Sequence, residues 1–257
     1  MKHLLDMTVA SVEKLGGSHV LIRLTHAETL PPALPGQFVS VRVDGSSATF
    51  LRRPFSINFI DREANELSLL VAVVGNGTRR LSLLRAGDSL NCLLPLGNGF
   101  TVPREAGARH LLVGGGVGAA PLLYLGKTIR DNGGEPVFLI GAKSSGGLLQ
   151  LERLGRYGRV LVTTEDGTAG FRGYVTDHPA LREERFDFIS ACGPRPMMAS
   201  VARYARESGT ACEVSLENSM ACGVGACLCC VEDTVRGNVC VCKEGPVFNI
   251  NDLKWQI

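Results

Sequence analysis

The sequence contains neither a long apolar run nor a block of charge of one sign. No stretch reaches the roughly 18 uninterrupted apolar residues that a membrane-spanning helix needs. The chain has 27 basic and 25 acidic residues, a formal net charge of +2, and no basic run. We therefore expect neither nucleic acid nor a membrane as a partner. The first residues include Asp6 and lack the apolar segment of a signal peptide, so we expect a cytoplasmic protein.

Cysteine is concentrated in one short segment. Six of the nine cysteines lie between residues 222 and 242, with small residues between the first two. Four of them show the spacing C-x4-C-x2-C, followed after eleven residues by a fourth cysteine. These four are Cys222, Cys227, Cys230 and Cys242. The spacing is typical of plant-type [2Fe–2S] ligands, which converge as thiolates on two irons.

Other uses of these cysteines have to be weighed. A structural zinc site usually takes two separated pairs of ligands, whereas this segment has a compact triplet and one distant cysteine. Disulfides are disfavoured because thiol-rich intracellular chains stay reduced. Cys229 and Cys240 lie beside two of the candidate ligands and offer spare thiols. Spacing, together with the resemblance described below, favours Cys230 and Cys242 over them.

The first hundred residues predict an antiparallel barrel or sandwich. Short runs of β-forming residues alternate with turn signals, and one helix is expected over residues 78–84. Two motifs stand out: the segment Arg53-Pro54-Phe55-Ser56 and the turn Gly75-Asn76-Gly77-Thr78. An arginine fork suits a phosphate, and the start of a helix attracts anions. Taken singly, each motif is more often a surface arginine or an ordinary helix cap.

From about residue 108 the pattern changes to alternating strands and helices, which predicts a parallel, doubly wound α/β sheet. The run 114–118, with Gly114, Gly116 and Gly118, follows the first strand at the mouth of the first helix, where phosphates bind. A regular G-x-G-x-x-G and an acidic residue after the second strand are both missing. Later, Cys192-Gly193-Pro194 ends a strand and opens a helix. Most free cysteines are small buried residues, but the motif at Cys192 favours a functional role.

In this order, the motifs resemble those of the ferredoxin–NADP reductase superfamily. The resemblance implies that residues Arg53, Pro54, Phe55 and Ser56 hold the phosphates and ring of FAD. It also implies that Leu70, Val71 and Ala72 line the flavin with backbone groups, and that Gly77 and Thr78 cradle its pyrophosphate. The glycine-rich turn would bind the nicotinamide dinucleotide. Cys192, Gly193 and Pro194 would then lie beside the nicotinamide and flavin rings.

The C-terminal sequence contains the motif S-L-E-x-x-M-A-C-G-x-G-A-C-x-x-C, followed by V-C-x-x-G-P-V-F. With these motifs after a predicted barrel and a predicted nucleotide domain, the chain resembles the electron transfer subunits of type 1B dihydroorotate dehydrogenase. The resemblance covers nearly the whole chain. This implies a multi-domain protein with an antiparallel β-barrel FAD domain (1–104), an α/β doubly wound NAD domain (105–212) and a small C-terminal [2Fe–2S] module (213–257). The four cysteines 222, 227, 230 and 242 would be the iron ligands.

The same resemblance implies a function. Electrons would pass from NADH through FAD and the cluster to a separate FMN-containing catalytic subunit, in a heterotetramer that serves pyrimidine biosynthesis. A subunit of another NAD(P)H–ferredoxin-type complex is the alternative, and a redox regulator without turnover is a third hypothesis. NADH and NADPH are not distinguished, because Lys143 and Arg195 are both candidates to contact a 2′-phosphate.

Overall fold

The computed structural model describes residues 1–45, 48–103 and 105–255. The N-terminal strands are β1 (His3–Leu15), β2 (His19–Thr25), β3 (Phe38–Val41), β4 (Arg53–Asp61), β5 (Glu66–Ala72) and β6 (Ser89–Leu96), and helix α1 (Asn76–Leu81) lies between the last two. Within the described residues these strands close into an antiparallel barrel in the order β1-β2-β5-β4-β3-β6. The predicted barrel is therefore confirmed. Helix α1 ends at Leu81, three residues before the predicted end.

The barrel closes around one face of each strand. On β1, Met7 and Val9 are fully buried, whereas the residues between and beside them face solvent. They pack against aliphatic side chains of β2 and β5, such as Ile22 and Leu69. This alternation is what a half-buried antiparallel strand requires, since successive side chains point to opposite faces.

The second unit is an α/β domain. Its strands and helices are β7 (Arg109–Gly115), α2 (Ala120–Asp131), β8 (Glu135–Ala142), α3 (Leu151–Gly155), β9 (Arg159–Thr164), β10 (Phe171–Arg172), α4 (Ala180–Glu183), β11 (Phe188–Cys192), α5 (Arg195–Ser208) and β12 (Ala211–Ser215). The strands pair in parallel. Strands β7 and β8 are buried almost throughout, as expected when helices cover both faces of a sheet.

The C-terminal segment forms a hairpin of β13 (Val231–Thr234) and β14 (Gly237–Cys240), followed by α6 (Val241–Glu244) and β15 (Val247–Asn249). Strand β15 pairs antiparallel with β12 and becomes the edge of a seven-stranded sheet in the order β10-β9-β8-β7-β11-β12-β15 among the described residues. Strand β12 spans residue 212, and residues 104, 256 and 257 lie outside the described residues. The division at residues 104 and 212 stays a prediction.

The barrel packs directly on the α/β domain. Leu21 and Leu70 of the barrel form one apolar cluster with Ala120 and Leu149 of the domain. The buried Asn58 side chain donates to the Ala120 carbonyl at 2.9 Å. No helix in the described part of the chain combines the length and apolar surface that crossing a membrane requires.

Candidate functional site

A cavity of about 810 Å³ opens at the carboxyl ends of β7, β8, β9 and β11. Strand β7 pairs with β8 on one side and β11 on the other, so the chain reverses its direction across the sheet at this point. Crevices of this kind are where α/β sheets bind nucleotides. Four of the predicted site residues line the cavity, namely Gly116, Gly118, Gly193 and Pro194.

Two glycines allow the loops that wall the cavity to lie in contact. A Cβ atom on Gly118 would come within 2.5 Å of the Cys192 carbonyl oxygen and 2.6 Å of the Gly193 Cα. A Cβ on Gly114 would lie 3.0 Å from the Ala119 Cα, at the start of α2. Glycine is thus required where strand β7 turns into its helix. The predicted glycine run has a packing role that its spacing alone did not reveal.

Cys192 lies behind the wall of the cavity. Its side chain is fully buried and is not among the lining residues. Burial, and secondarily the carboxylate of Glu217, raises the pKa of the Cys192 thiol, so this side chain is neutral. The prediction that Cys192 adjoins the nicotinamide and flavin rings stays a prediction.

The cavity also has lining residues that the sequence did not single out, among them His19, Thr163, Glu165, Met197 and Glu217. His19 comes from the barrel, so the cavity lies between the two domains. Glu217 is an exposed residue that borders the cavity, and desolvation of its carboxyl group by neighbouring atoms raises the pKa of that group. Glu217 is part of the S-L-E motif just after β12, and this position could have predicted that it borders the cavity.

The two candidates for a 2′-phosphate contact are placed differently. Lys143 lines the cavity. Arg195 instead bonds to Glu232 at 3.2 Å, with its guanidinium 5.5 Å from the centre of the Trp255 ring. Arg195 therefore connects α5 to the C-terminal segment.

Strands β4 and β5 separate at the predicted flavin motif. Their pairing begins only at Ile57 and Leu69, whereas Arg53–Ser56 pair with β3. Residues Leu70, Val71 and Ala72 pair with β2 on their other side. The cleft between the two strands thus brings the backbone of 70–72 opposite the Arg53–Ser56 segment. That these two segments hold the flavin ring stays a prediction.

Arg53 and the start of α1, which were both predicted to contact phosphate, lie close together. A Cβ on Gly77 would lie 3.5 Å from Arg53 Nε and 3.2 Å from the Thr49 methyl group, so the two predicted motifs meet. Arg53 donates to the Leu51 carbonyl at 2.9 Å. The Thr78 hydroxyl accepts from the Val74 and Gly75 amides and so holds the turn closed.

The four candidate ligand thiols influence one another. A hydrogen bond from Cys227 contributes to lowering the pKa of Cys222, and burial together with a hydrogen bond to Cys230 raises the pKa of Cys242. Backbone amides also point at the sulfurs. Val224 and Ala226 donate to Cys222 at 3.4 and 3.3 Å, Gly225 donates to Cys242 at 3.1 Å, and the Cys242 amide donates to Cys230 at 3.3 Å. Amide donors to sulfur are the usual surroundings of an iron–sulfur cluster.

The first thiol of the set is already acidic. The Val224 amide, as the largest of several contributions, lowers the pKa of the Cys222 thiol to about 6, so it is a thiolate at neutral pH, the form that binds metal. Among the described residues, no three His, Cys, Asp or Glu side chains converge on a point that suits one metal ion. Four cysteine thiols with backbone amide donors around them match the ligand set of a [2Fe–2S] cluster.

The two spare cysteines differ in exposure. Cys229 is exposed at the surface, whereas Cys240 is buried, with its sulfur 4.0 Å from the Gly225 carbonyl oxygen. All nine cysteines are free thiols in the structure. The structure thus separates Cys229 from the buried pair of Cys230 and Cys242.

Comparison with known proteins agrees with this geometry. Residues 217–254 match the iron–sulfur cluster binding domain of dihydroorotate dehydrogenase B. The chain is 39% identical to the dihydroorotate dehydrogenase B (NAD(+)) electron transfer subunit of Shouchella clausii, covering 85% of this chain and 86% of that one. It is 36% identical to the subunit of the same name from Bacillus caldolyticus, covering 96% and 97%. The chain belongs to the family of dihydroorotate dehydrogenase B electron transfer subunits.

A solved structure extends this similarity to the whole fold. The NADH-dependent reduced ferredoxin-NADP oxidoreductase superposes with a TM-score of 0.87 and is 30% identical, covering 97% of this chain and 90% of that one. The predictions of an electron transfer subunit and of a C-terminal iron–sulfur module are therefore confirmed. The zinc alternative is disfavoured by the same match at residues 217–254.

Proposed function

We propose that this chain transfers electrons from NADH to an FMN-containing dihydroorotate dehydrogenase catalytic subunit, in a cytoplasmic heterotetramer that serves pyrimidine biosynthesis. The observation that carries the proposal is the position of the cysteine segment. A Cβ on Gly223 would lie 3.6 Å from Ser40, whose strand partner is Pro54 in the flavin cleft. The candidate cluster site therefore adjoins the candidate flavin site, as an electron path requires.

Each part of the path has its own residues. Arg53 would neutralise the phosphates of FAD, and the backbone of Leu70–Ala72 would hold its ring. The loops at Gly118 and Gly193 would orient the nicotinamide dinucleotide in the cavity. Cys222, Cys227, Cys230 and Cys242 would hold the cluster. Bound FAD and the [2Fe–2S] cluster supply the conversion from two-electron to one-electron transfer.

A second candidate is a subunit of another NAD(P)H–ferredoxin-type complex. The similarity to the NADH-dependent reduced ferredoxin-NADP oxidoreductase favours it, since that protein matches nearly the whole chain. The curated relatives, at 39% and 36% identity, favour the dihydroorotate enzyme. The two candidates differ in the partner that receives the electrons.

The experiment is a reconstitution with candidate partners. The FAD- and cluster-loaded chain is mixed with an FMN-containing dihydroorotate dehydrogenase subunit, and NADH-dependent reduction of orotate is followed. We expect reduction only when both chains are present, in a complex whose mass shows two copies of each. If NADH bleaches the flavin but no such partner reduces orotate, the pyrimidine assignment is wrong. Reduction of added ferredoxin would then favour the second candidate.

A further inference from the structure

One basic side chain lies across the loop that carries the amide donors to sulfur. A Cβ atom on Gly225 would come within 2.9 Å of the Lys243 Cδ and 3.2 Å of the Lys243 Cβ. Gly225 has a positive φ of 84°, which glycine adopts without strain. The aliphatic stem of Lys243 therefore packs on Gly225, whose amide donates to the Cys242 sulfur at 3.1 Å. The lysine thus lies against a residue that makes one of the amide–sulfur hydrogen bonds.

The charged end of this side chain pairs with a neighbouring acid. The Lys243 ammonium group lies 3.2 Å from one carboxylate oxygen of Glu244. The other oxygen of Glu244 accepts a hydrogen bond from the Cys240 amide at 3.2 Å. Helix α6, which contains both charged residues, also contains Cys242. One positive and one negative charge are therefore held beside the candidate ligand thiols.

The chemistry of the candidate ligands makes these charges important. Four thiolates around two irons form a group that is negative overall and gains one more negative charge on reduction. Its reduction potential depends on nearby charge, on hydrogen bonds to its sulfurs and on exposure to solvent. A cation beside the group favours the added electron, and a carboxylate opposes it. Lys243 and Glu244 should therefore act in opposite directions.

A second lysine of the C-terminal segment has different contacts. Lys254 pairs with Asp233 of the hairpin strand β13 at 2.7 Å. Its side chain is 51% exposed, compared with 63% for that of Lys243. The two lysines are therefore matched in charge and similar in exposure, but it is Lys243 that packs on the loop of amide donors.

We propose that Lys243 raises the reduction potential of the bound [2Fe–2S] cluster, and that Glu244 partly offsets this effect. The inference rests on the proposed function, since it concerns the cluster that the four candidate ligand thiols would hold. A higher potential favours the passage of electrons from the flavin to the cluster. Lys243 contributes no ligand, and it acts through its charge beside the loop at Gly225.

The test is a redox titration of the FAD- and cluster-loaded chain, in which electron paramagnetic resonance measures the reduced cluster. The variants are Lys243→Met, Glu244→Gln and the double variant. At a fixed potential we expect the ratio of reduced to oxidised cluster to fall about 3-fold or more in Lys243→Met, because a nearby cation is removed. Glu244→Gln should raise this ratio. The double variant should return towards the wild-type value.

Salt separates an effect of charge from an effect of packing. Screening between exposed charges increases as the Debye length falls from about 10 Å at 0.1 M to about 3 Å at 1 M ionic strength. The difference between Lys243→Met and the wild type should therefore shrink at high salt. Lys243→Arg, which keeps the charge, should retain the wild-type ratio. Lys254→Met is the matched control and should leave the ratio unchanged, because its partner lies on the hairpin.

The outcomes separate this inference from the proposed function. If Lys243→Met has the wild-type iron content and the wild-type ratio, Lys243 does not set the potential, whether or not orotate is reduced. If the double variant stays as low as Lys243→Met and salt does not reduce the difference, the effect comes from packing and the electrostatic proposal is wrong. If the ratios change as expected but NADH never bleaches the flavin of the wild type, the effect of Lys243 stands and the proposed function fails.

Discussion

Gly118→Ala should impair the use of NADH while the chain stays folded and loaded with cofactors. The added Cβ would lie 2.5 Å from the Cys192 carbonyl oxygen, about 1 Å short of an ordinary contact of roughly 3.5 Å. Its other close neighbour, Gly193 Cα at 2.6 Å, is also backbone and cannot rotate away. The loop at Gly193 must therefore shift by a substantial part of 1 Å.

Two magnitudes follow from this shift. Overpacking of this kind costs about 1–3 kcal/mol in the free energy of unfolding. A 1 Å displacement of a positioning group can slow a reaction about 100-fold. We therefore expect a modest fall in melting temperature and a large fall in kcat/KM for flavin bleaching by NADH. Stopped-flow absorbance and thermal denaturation measure the two effects.

Gly155→Ala is the matched control. At that position, in α3 and away from the cavity, the nearest atom to an added Cβ is the Val160 methyl group at 4.0 Å, an ordinary contact. It should leave kcat/KM at the wild-type value. An unchanged kcat/KM in Gly118→Ala, with FAD and iron contents at the wild-type level, would refute the reasoning that this glycine positions the nucleotide.

Three further predictions concern the other sites. Cys230→Ala should lose the cluster while Cys229→Ala keeps it, because Cys230 is buried beside Cys242 and Cys229 is exposed; equal losses of iron and visible absorbance would contradict this. Arg53→Gln should weaken FAD binding about 10- to 100-fold through the loss of a charged hydrogen bond, as measured by flavin titration, and the exposed Arg156→Gln should not. Burial lowers the pKa of His110 to about 3 from 6.5, so the unfolded chain takes up a proton that the folded chain does not. The free energy of unfolding should therefore fall by about 1.4 kcal/mol per pH unit as the pH drops below 6.5 towards 3. Melting temperatures measured between pH 6.5 and 5 should fall less steeply for His110→Gln than for the wild type. Equal slopes in the two proteins would exclude His110 as the cause.

The barrel strands were predictable because each is a local pattern. Alternation along residues such as Met7 and Val9, bounded by turn residues, identifies a half-buried strand from sequence alone. The end of helix α1 was less predictable, since the pattern continues to Leu84 while the helix ends at Leu81. The energetic difference between helix and turn at such a terminus is small.

Sites formed by distant segments were harder to predict. The spacing of the cysteines predicted an iron–sulfur module because the candidate ligands Cys222, Cys227 and Cys230 lie close together in sequence. Glu165 was not predicted, because the dinucleotide-binding fingerprint has its acid after the second strand of the domain, whereas Glu165 follows the third. That the hydroxyl group of Thr163 has no hydrogen-bond partner within the described residues could not be predicted from the sequence, because burial and hydrogen bonding depend on the folded structure.

The structure explains the role of the G-P-V-F motif near the C-terminus. Residues Val247–Asn249 form the edge strand beside β12, which attaches the cysteine segment to the nucleotide sheet. The barrel binds the same stretch, because the Asn98 side chain donates to the Glu244 and Val247 carbonyls at 2.8 and 3.1 Å. A Cβ on Gly97 would lie only 2.5 Å from Pro246. The cysteine segment is thus anchored to both domains at once. This fixes the distance between the candidate flavin cleft and the candidate ligand thiols, on which the proposed electron transfer would depend.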